Sequence, residues 1–283
     1  MTRLMLGAWF LFAVGCATAA EPALPPTYAE ATKKVAAKFA GQPGVVLHIG
    51  DSITYANPYG AWPRYGEGKT EADKAVLKWM HTNGDKEKDG WILASKDHPD
   101  GGRSDTAASG IQADQLREGG FSKMLSFDKL LAKYQPQVVV LMIGTNDASA
   151  QRTTKAYMAD VTALIASAHD RGVILILSTI PPHHDREKLA NEYNEALRAL
   201  AKEKGIPLID YDAEIRKRRP NDWNGTLLGK NDVHPTATVD KVTALSPPTE
   251  ANLAISGYLL RGWLSVQKIA EVKAAVIDAQ AKK

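Results

Sequence analysis

The sequence predicts an α/β protein: a three-layer α/β/α sandwich around a central, mostly parallel sheet of five strands. Short apolar runs with polar loops at both ends indicate strands that are buried on both faces. Between the later runs, apolar residues recur every three to four positions, as on one face of a helix. This alternation of strand and helix favours right-handed crossovers that place helices on both faces of one sheet.

The elements are assigned in chain order from these two patterns. A helix precedes the first strand and ends near Ala40. Two later helices bury a face that runs from Tyr157 to Ala168 and from Leu189 to Leu200, and a glycine follows each of them. The five strands are predicted at Val45–Gly50, Trp91–Ala94, Gln137–Gly144, Val173–Ile180 and Pro207–Tyr211.

The carboxyl ends of the strands are where a doubly wound sheet places its functional residues. Ser52, Gly144–Asp147 and Pro181–Asp185 each follow such an end. Two weakly patterned stretches, residues 55–99 and 234–250, are expected to be insertions that shape a substrate site.

The length and composition favour one globular domain, which we assign to residues 28–275. The chain has 283 residues, of which 44% are hydrophobic and 24% charged, and neither a repeat nor a low-complexity linker divides it. The formal net charge of +3 comes from interleaved charges and gives no reason to expect nucleic acid as a partner.

The first 20 residues are typical of a secretory signal peptide. Arg3 precedes an apolar run from Leu4 to Val14, and small residues follow it. The run is too short to span a membrane, so we expect an exported protein with no membrane insertion after cleavage. In the alternative interpretation, Cys16 ends a lipoprotein box and carries a lipid anchor. Cys16 is the only cysteine, so no disulfide is expected.

Three common motifs are excluded. The segment GEGKT at Gly66–Thr70 has Pro63 where a phosphate-binding loop requires glycine. The Gly-x-Ser-x-Gly elbow of the α/β-hydrolases does not occur, and no dinucleotide fingerprint follows the first strand.

Four short blocks remain, in a fixed order along the chain: GDSIT with Ser52, AASGI with Gly110, GTND with Asn146 and NDVHP with His234. Together they resemble the blocks of the SGNH hydrolases, also called GDSL-type lipases and esterases. The resemblance extends over Gly50–Pro235 and implies the flavodoxin-like fold and the serine esterase chemistry of that family. Because this chemistry uses only protein groups and water, we expect no cofactor and no metal.

The resemblance also implies a role for each residue. Ser52 would be the nucleophile and His234 the base that activates it, because a serine hydroxyl is a weak nucleophile until its proton is removed. The donors to the oxyanion would be the backbone N–H of Ser52, the backbone N–H of Gly110 and the side-chain amide of Asn146.

The acid of the triad departs from the family pattern. The family has an aspartate three residues before the histidine, where this chain has Asn231, and Asp232 lies one residue closer. Three candidates stay open: Asp232 through a changed turn, Asn231 through its amide oxygen, or a backbone carbonyl. We favour Asp232.

Four aromatic residues follow the nucleophile within a short stretch: Tyr55, Tyr59, Trp62 and Tyr65. Aromatic faces suit sugar rings, and they suit the packing of an irregular loop equally well. We take Tyr55 and Trp62 as candidate substrate contacts.

Other polar residues near strand ends are weaker candidates. Asp51 is expected to support the nucleophile loop and is also a candidate substrate contact, and His183 is expected to line the substrate cleft. The pair His183 and His184 with Asp185 suggests a metal site, but adjacent loop histidines point apart too easily for one. His48, inside the first strand, is interpreted as a core residue.

These observations predict an exported serine esterase that removes short acyl groups, most plausibly acetyl, from an ester substrate such as an acetylated polysaccharide. A lipid or lysophospholipid esterase is the alternative within the same chemistry. A catalytically silent glycan-binding domain and an acyltransferase are alternatives of other classes.

Overall fold

The structure, a computed structural model, describes residues 26–95 and 104–281. Its central sheet has four strands, all parallel, in the order β1-β2-β3-β4. The strands are β1 (Gln42–Gly50), β2 (Pro136–Met142), β3 (Ile174–Ser178) and β4 (Leu208–Ile209).

Helices cover both faces of this sheet. Consecutive side chains of a strand point to opposite faces, and every residue from Val138 to Met142 and from Ile174 to Ser178 is buried. The first helices are α1 (Ala29–Ala36), α2 (Ser52–Tyr55), α3 (Ala61–Tyr65), α4 (Glu71–Trp79), α5 (Gly90–Ala94), α6 (Ala113–Glu118) and α7 (Phe127–Tyr134). The later ones are α8 (Thr145–Ser149), α9 (Thr154–Asp170), α10 (Glu187–Lys204), α11 (Tyr211–Arg218), α12 (Glu250–Leu253), α13 (Gly257–Val272) and α14 (Asp278–Ala281).

Two long helices organise the outer layers. Helix α9 packs against β3 and against α6, α7 and α10, whereas α13 packs against β4 and against α3, α4 and α11. The predicted apolar face of α9, from Tyr157 to Ala168, is buried as expected. Helix α10 ends at Lys204, and Gly205 follows it with φ +61°, which confirms the predicted glycine stop.

One of the five predicted strands is wrong: Trp91–Ala94 belongs to helix α5. The carboxylate of Asp89 accepts hydrogen bonds from the N–H groups of Trp91 and Ile92 and so caps the helix. A short apolar run that is buried all round has no periodicity to separate helix from strand. At the free edge of β1 the described chain has only a parallel bridge, between Gly50 and Ala107.

The stretch after His234 forms a small hairpin, β5 (Thr238–Val239) and β6 (Val242–Thr243), before α12 and α13. In the described part of the chain, no helix combines the length and the apolar character that crossing a bilayer requires. The predicted signal segment and Cys16 lie outside the described residues.

Candidate active site

Ser52 lies at the carboxyl end of β1, as the first residue of α2. Asp51 is the N-cap of this helix, and its Oδ1 accepts a hydrogen bond from the N–H of Ile53 at 3.0 Å. The strand therefore ends in a sharp change of direction that leaves the Ser52 side chain half-buried at the edge of the sheet.

His234 contacts both Ser52 and Asp232. Its Nε2 lies 2.8 Å from Oγ of Ser52, and its Nδ1 lies 2.7 Å from Oδ1 of Asp232. Burial alone would raise the pKa of the Asp232 carboxyl, but hydrogen bonds from the ring and the backbone N–H of His234 outweigh it and lower that pKa. The carboxylate is therefore ionised beside the ring at neutral pH.

Asn231 does not contact the histidine ring. Its φ of +53° is left-handed, a conformation that asparagine tolerates better than most residues. Its backbone N–H donates to Oδ1 of Asn224 at 2.7 Å, and its own Oδ1 accepts from the Asn224 amide. Asn231 thus shapes the turn that presents Asp232 to the ring.

Gly110 lies beside the end of β1 because the segment before it pairs with that strand. Gly50 donates to the carbonyl of Thr106 and accepts from the N–H of Ala108. Gly110 has φ +89°, which favours glycine. Among residues 26–95 and 104–281, the backbone N–H groups of Ser52 and Gly110 donate to no partner.

Asn146 lies in α8, directly after β2, whose end is paired with the end of β1. Its Nδ2 donates to the carbonyl of Ile111 at 3.1 Å, and the amide group has a second hydrogen to donate. The structure therefore brings Ser52, Gly110, Asn146 and His234 to the same edge of the sheet.

Arg261 is a buried residue of this region that the sequence analysis missed. It donates from Nη1 to the carbonyl of Ile53 at 2.7 Å and from Nη2 to Oγ1 of Thr54 at 2.8 Å. Its guanidinium lies 3.6 Å from the ring centroid of Tyr59. An arginine inside the apolar run YLLRGWL was the available signal.

Asp51 is fully buried. Burial raises the pKa of its carboxyl, whereas the hydrogen bond from Ile53 and the positive charge of Arg261 lower it. Its expected role in supporting the nucleophile loop matches its capping of α2, and a direct contact with substrate does not fit its burial.

The aromatic residues after Ser52 divide into two pairs. Trp62 is fully buried and donates from its indole to the carbonyl of Glu67, so its assignment as a substrate contact is wrong. Tyr59 is also a core residue, bonded to His48 and Ser265. The ring of a buried residue fills the core under the loop and is out of reach of a ligand.

Tyr55 and Tyr65 instead line cavities. The cavity beside Tyr55 has about 450 Å³ and includes Ala108 and Ser109, which directly precede Gly110. The larger cavity, of about 650 Å³, has Tyr65 on its wall with 65% of its surface exposed. Its other lining residues include Asn57, Arg64, Lys86, Ala237, Thr238 and Leu245.

His183 is buried, and its Nε2 lies 3.0 Å from Oγ of Ser149. Burial, with the neighbouring His184, lowers the pKa of its ring. It lines neither of the two cavities, so its expected place in the substrate cleft is not supported. In the described residues no cluster of three or more potential metal ligands occurs.

Comparison with known proteins places the chain in a family. Residues 48–242 match the model of the GDSL-like Lipase/Acylhydrolase family. No curated protein sequence matches significantly. An acetyl-xylooligosaccharide esterase variant from Geobacillus stearothermophilus is 18% identical over 82% of this chain and 96% of its own, with a TM-score of 0.50.

A second solved structure, described as a putative lipolytic protein of the G-D-S-L family from Desulfitobacterium hafniense, is 19% identical. It covers 79% of this chain and 98% of its own, with a TM-score of 0.49. The family match spans more than half of the chain and includes the segments that carry Ser52 and His234. The chain belongs to the GDSL-like lipase/acylhydrolase family.

Proposed function

We propose that this member of the family is an exported serine esterase that hydrolyses short-chain esters, most plausibly acetyl esters, of a carbohydrate. The continuous contact from Asp232 through His234 to Ser52 is the observation that carries the esterase chemistry. Membership in an acylhydrolase family supports the same reaction class.

The reaction follows from the positions of these groups. Asp232 accepts the Nδ1 proton of His234, so Nε2 is free to take the proton of Ser52 as Oγ attacks the ester carbonyl. His234 then protonates the leaving alcohol, and a water molecule, activated in the same way, hydrolyses the acyl-enzyme.

The negative charge of the tetrahedral intermediate needs donors that are already in place. The unpartnered N–H groups of Ser52 and Gly110 and the amide of Asn146 supply them. Every step uses a protein group or water, so the proposed reaction needs no metal and no organic cofactor.

The cavities support a polar alcohol as the leaving group. Ala237 lies three residues after His234, so its Cα is within about 11 Å of the Cα of His234 along an extended chain. One wall residue of the larger cavity therefore lies within this distance of the proposed base, and the wall combines an exposed aromatic ring with polar and cationic side chains. A sugar ring stacks on such a surface through its apolar face.

A carbohydrate ester is also the substrate for which a solved protein of the same fold is named, the acetyl-xylooligosaccharide esterase. Export is proposed from Arg3 and the apolar run that follows it, with lipidation at Cys16 as the alternative. Mass spectrometry of the N-terminal peptide of the mature protein distinguishes the two.

The test is a series of esters from acetyl to long-chain acyl, together with acetylated polysaccharides, measured on the wild type and on Ser52→Ala. We expect release of acetate by the wild type and loss of turnover in the variant. Fast hydrolysis of long-chain lipids without acetate release would contradict the substrate assignment. No Ser52-dependent hydrolysis of any ester would contradict the reaction.

A further inference from the structure

Helix α8 and the segment that begins α6 are joined at two neighbouring places. The amide of Asn146 donates to the carbonyl of Ile111, and the carboxylate of Asp147 accepts from the N–H of Ala113 at 3.1 Å. Gly110 lies directly before this segment. The two joints therefore connect the proposed oxyanion donors of Gly110 and Asn146.

Asp147 is fully buried and needs a compensating charge. Arg152 provides it, with Nη1 at 2.6 Å from Oδ1 of Asp147. Arg152 is itself held by the hydroxyl of Tyr193, which donates to its carbonyl oxygen at 2.5 Å. The carboxylate thus has fixed partners on both sides, the backbone of α6 and the guanidinium of Arg152.

The ion pairs continue from Arg152 back to α6. Nη2 of Arg152 lies 2.7 Å from Oδ2 of Asp160 on α9, and Oδ1 of Asp160 lies 2.9 Å from Nε of Arg117 on α6. Nη1 of Arg152 is also 3.5 Å from Oδ1 of Asp114. The chain of contacts forms a closed ring that fixes α6, α8 and α9 relative to one another.

We propose that Asp147 and Arg152 are positioning residues that hold the amide of Asn146 and the N–H of Gly110 in the geometry that stabilises the oxyanion. This inference rests on the proposed esterase function. Neither residue is assigned a contact with substrate: Asp147 is fully buried in α8, and its carboxylate is bound to the N–H of Ala113 and to the guanidinium of Arg152.

A positioning role agrees with the energetics of such a pair. Buried ion pairs contribute little net stability compared with apolar packing, because desolvation of the charges offsets their attraction. Oxyanion donors, however, stabilise the transition state only within a narrow range of distance and direction. A ring of contacts that fixes α6, α8 and α9 relative to one another meets that geometric requirement.

The test compares Asp147→Asn, Arg152→Met and the conservative Arg152→Lys on a small soluble acetyl ester. We expect Asp147→Asn and Arg152→Met to lower kcat about 10- to 100-fold. Complete removal of one oxyanion donor costs about 10²- to 10³-fold, and a donor that is only displaced should cost less. KM should change less than about 3-fold, since ground-state contacts remain. Arg152→Lys should recover part of kcat.

A double-mutant cycle with Asn146→Ala separates positioning from a general structural effect. If Asp147 acts through the donors, Asp147→Asn lowers kcat much less in the Asn146→Ala background than in the wild type. The matched control is Asp212→Asn. Asp212 is also a buried carboxylate paired with arginines, but it lies on α11, outside the ring of contacts around Arg152. We expect it to keep the wild-type kcat.

Each other outcome overturns the proposal. Positioning would be contradicted if the loss of kcat in the double variant equalled the product of the losses in Asp147→Asn and Asn146→Ala. It would also be contradicted by an equal loss of kcat in Asp212→Asn, or by an unchanged kcat in folded Asp147→Asn. Circular dichroism identifies a variant that unfolds. If Asp147→Asn and Arg152→Met both unfold, the kinetics of Arg152→Lys are the test, and a wild-type kcat in that variant would contradict the proposal. Ser52-dependent activity of the wild type is measured first, so that failure of the esterase function itself is distinguished from failure of the positioning role.

Discussion

The carboxylate of Asp232 lies 2.7 Å from Nδ1 of His234, although only one residue separates the two in the chain. The tight turn before His234 brings the two side chains together. Asn231 has a left-handed conformation in this turn, and a hydrogen bond from the N–H of Gly229 to the carbonyl of His234 closes it. The spacing of this pair differs from the family pattern, yet the contact that orients the ring is present.

The first prediction concerns this acid. Asp232→Asn should lower kcat by about 10²- to 10⁴-fold, because an amide stabilises the imidazolium less and can select the wrong tautomer of the ring. Asn231→Gly, which removes the amide oxygen and accepts the left-handed backbone, should stay within about 10-fold of the wild type. Steady-state kinetics on one soluble ester decide between them, and a larger loss in the Asn231 variant would reverse the assignment.

The second prediction concerns Arg261. Arg261→Met should lower the free energy of unfolding by about 2–4 kcal/mol, because the carbonyl of Ile53 and the hydroxyl of Thr54 lose their buried donor. Urea unfolding measures this change. Arg171→Met, at the exposed end of α9, is the matched control and should change it by less than about 0.5 kcal/mol. Equal effects of the two substitutions would contradict the conclusion that the hydrogen bonds of Arg261 stabilise the segment after Ser52.

The third prediction is a pH dependence of stability at Asp147. Burial raises the pKa of its carboxyl to about 6, even though Arg152 and the N–H of Ala113 favour the charged form, and Asp114 adds to the rise. A raised pKa in the folded state means that the stability contributed by this group is complete below its unfolded pKa and is lost as the pH rises through about 6.

Asp147→Asn does not titrate and therefore isolates this contribution. The stability of the wild type relative to the variant should fall by about 1–3 kcal/mol between pH 4 and pH 7. Chemical unfolding of both proteins across this range measures the difference. A difference that is constant with pH would show that the pKa of Asp147 is not shifted by folding, and a difference that grows with pH would show that folding lowers it; either result contradicts the prediction.

The fourth prediction concerns the larger cavity. Tyr65→Ala should raise KM for an acetylated oligosaccharide about 5- to 50-fold, because a sugar ring loses its stacking surface. The same variant should hydrolyse a small acetyl ester like the wild type. Leu125→Ala removes another exposed apolar side chain outside both cavities and is the control. Equal KM values for Tyr65→Ala and the wild type would exclude this cavity as the sugar site.

The fold class and the strand ends were predictable because they depend on periodicity and on apolar runs that are long enough to read. Four of the five predicted strands occur, with changed bounds. The error at Trp91–Ala94 arose because the cap at Asp89, and not the apolar pattern, decides that this run is helical.

Side-chain orientation was less predictable than backbone position. Trp62 and Tyr65 lie in the same short helix, yet one ring is fully buried and the other is exposed, which no local pattern distinguishes. The contact between Asp232 and His234 depends on a left-handed residue, and asparagine at that position permits this conformation without requiring it. The ring of ion pairs around Arg152 depends on how three helices pack, which residue spacing does not show.

The central claim is that Ser52 is a nucleophile activated by His234, and covalent labelling with a fluorophosphonate tests it most directly. Mass spectrometry of the labelled wild type should find one adduct, on the peptide that contains Ser52. Labelling should be absent in Ser52→Ala and slowed at least about 100-fold in His234→Ala. A wild type that stays unlabelled, or an adduct that persists in Ser52→Ala, would contradict the account.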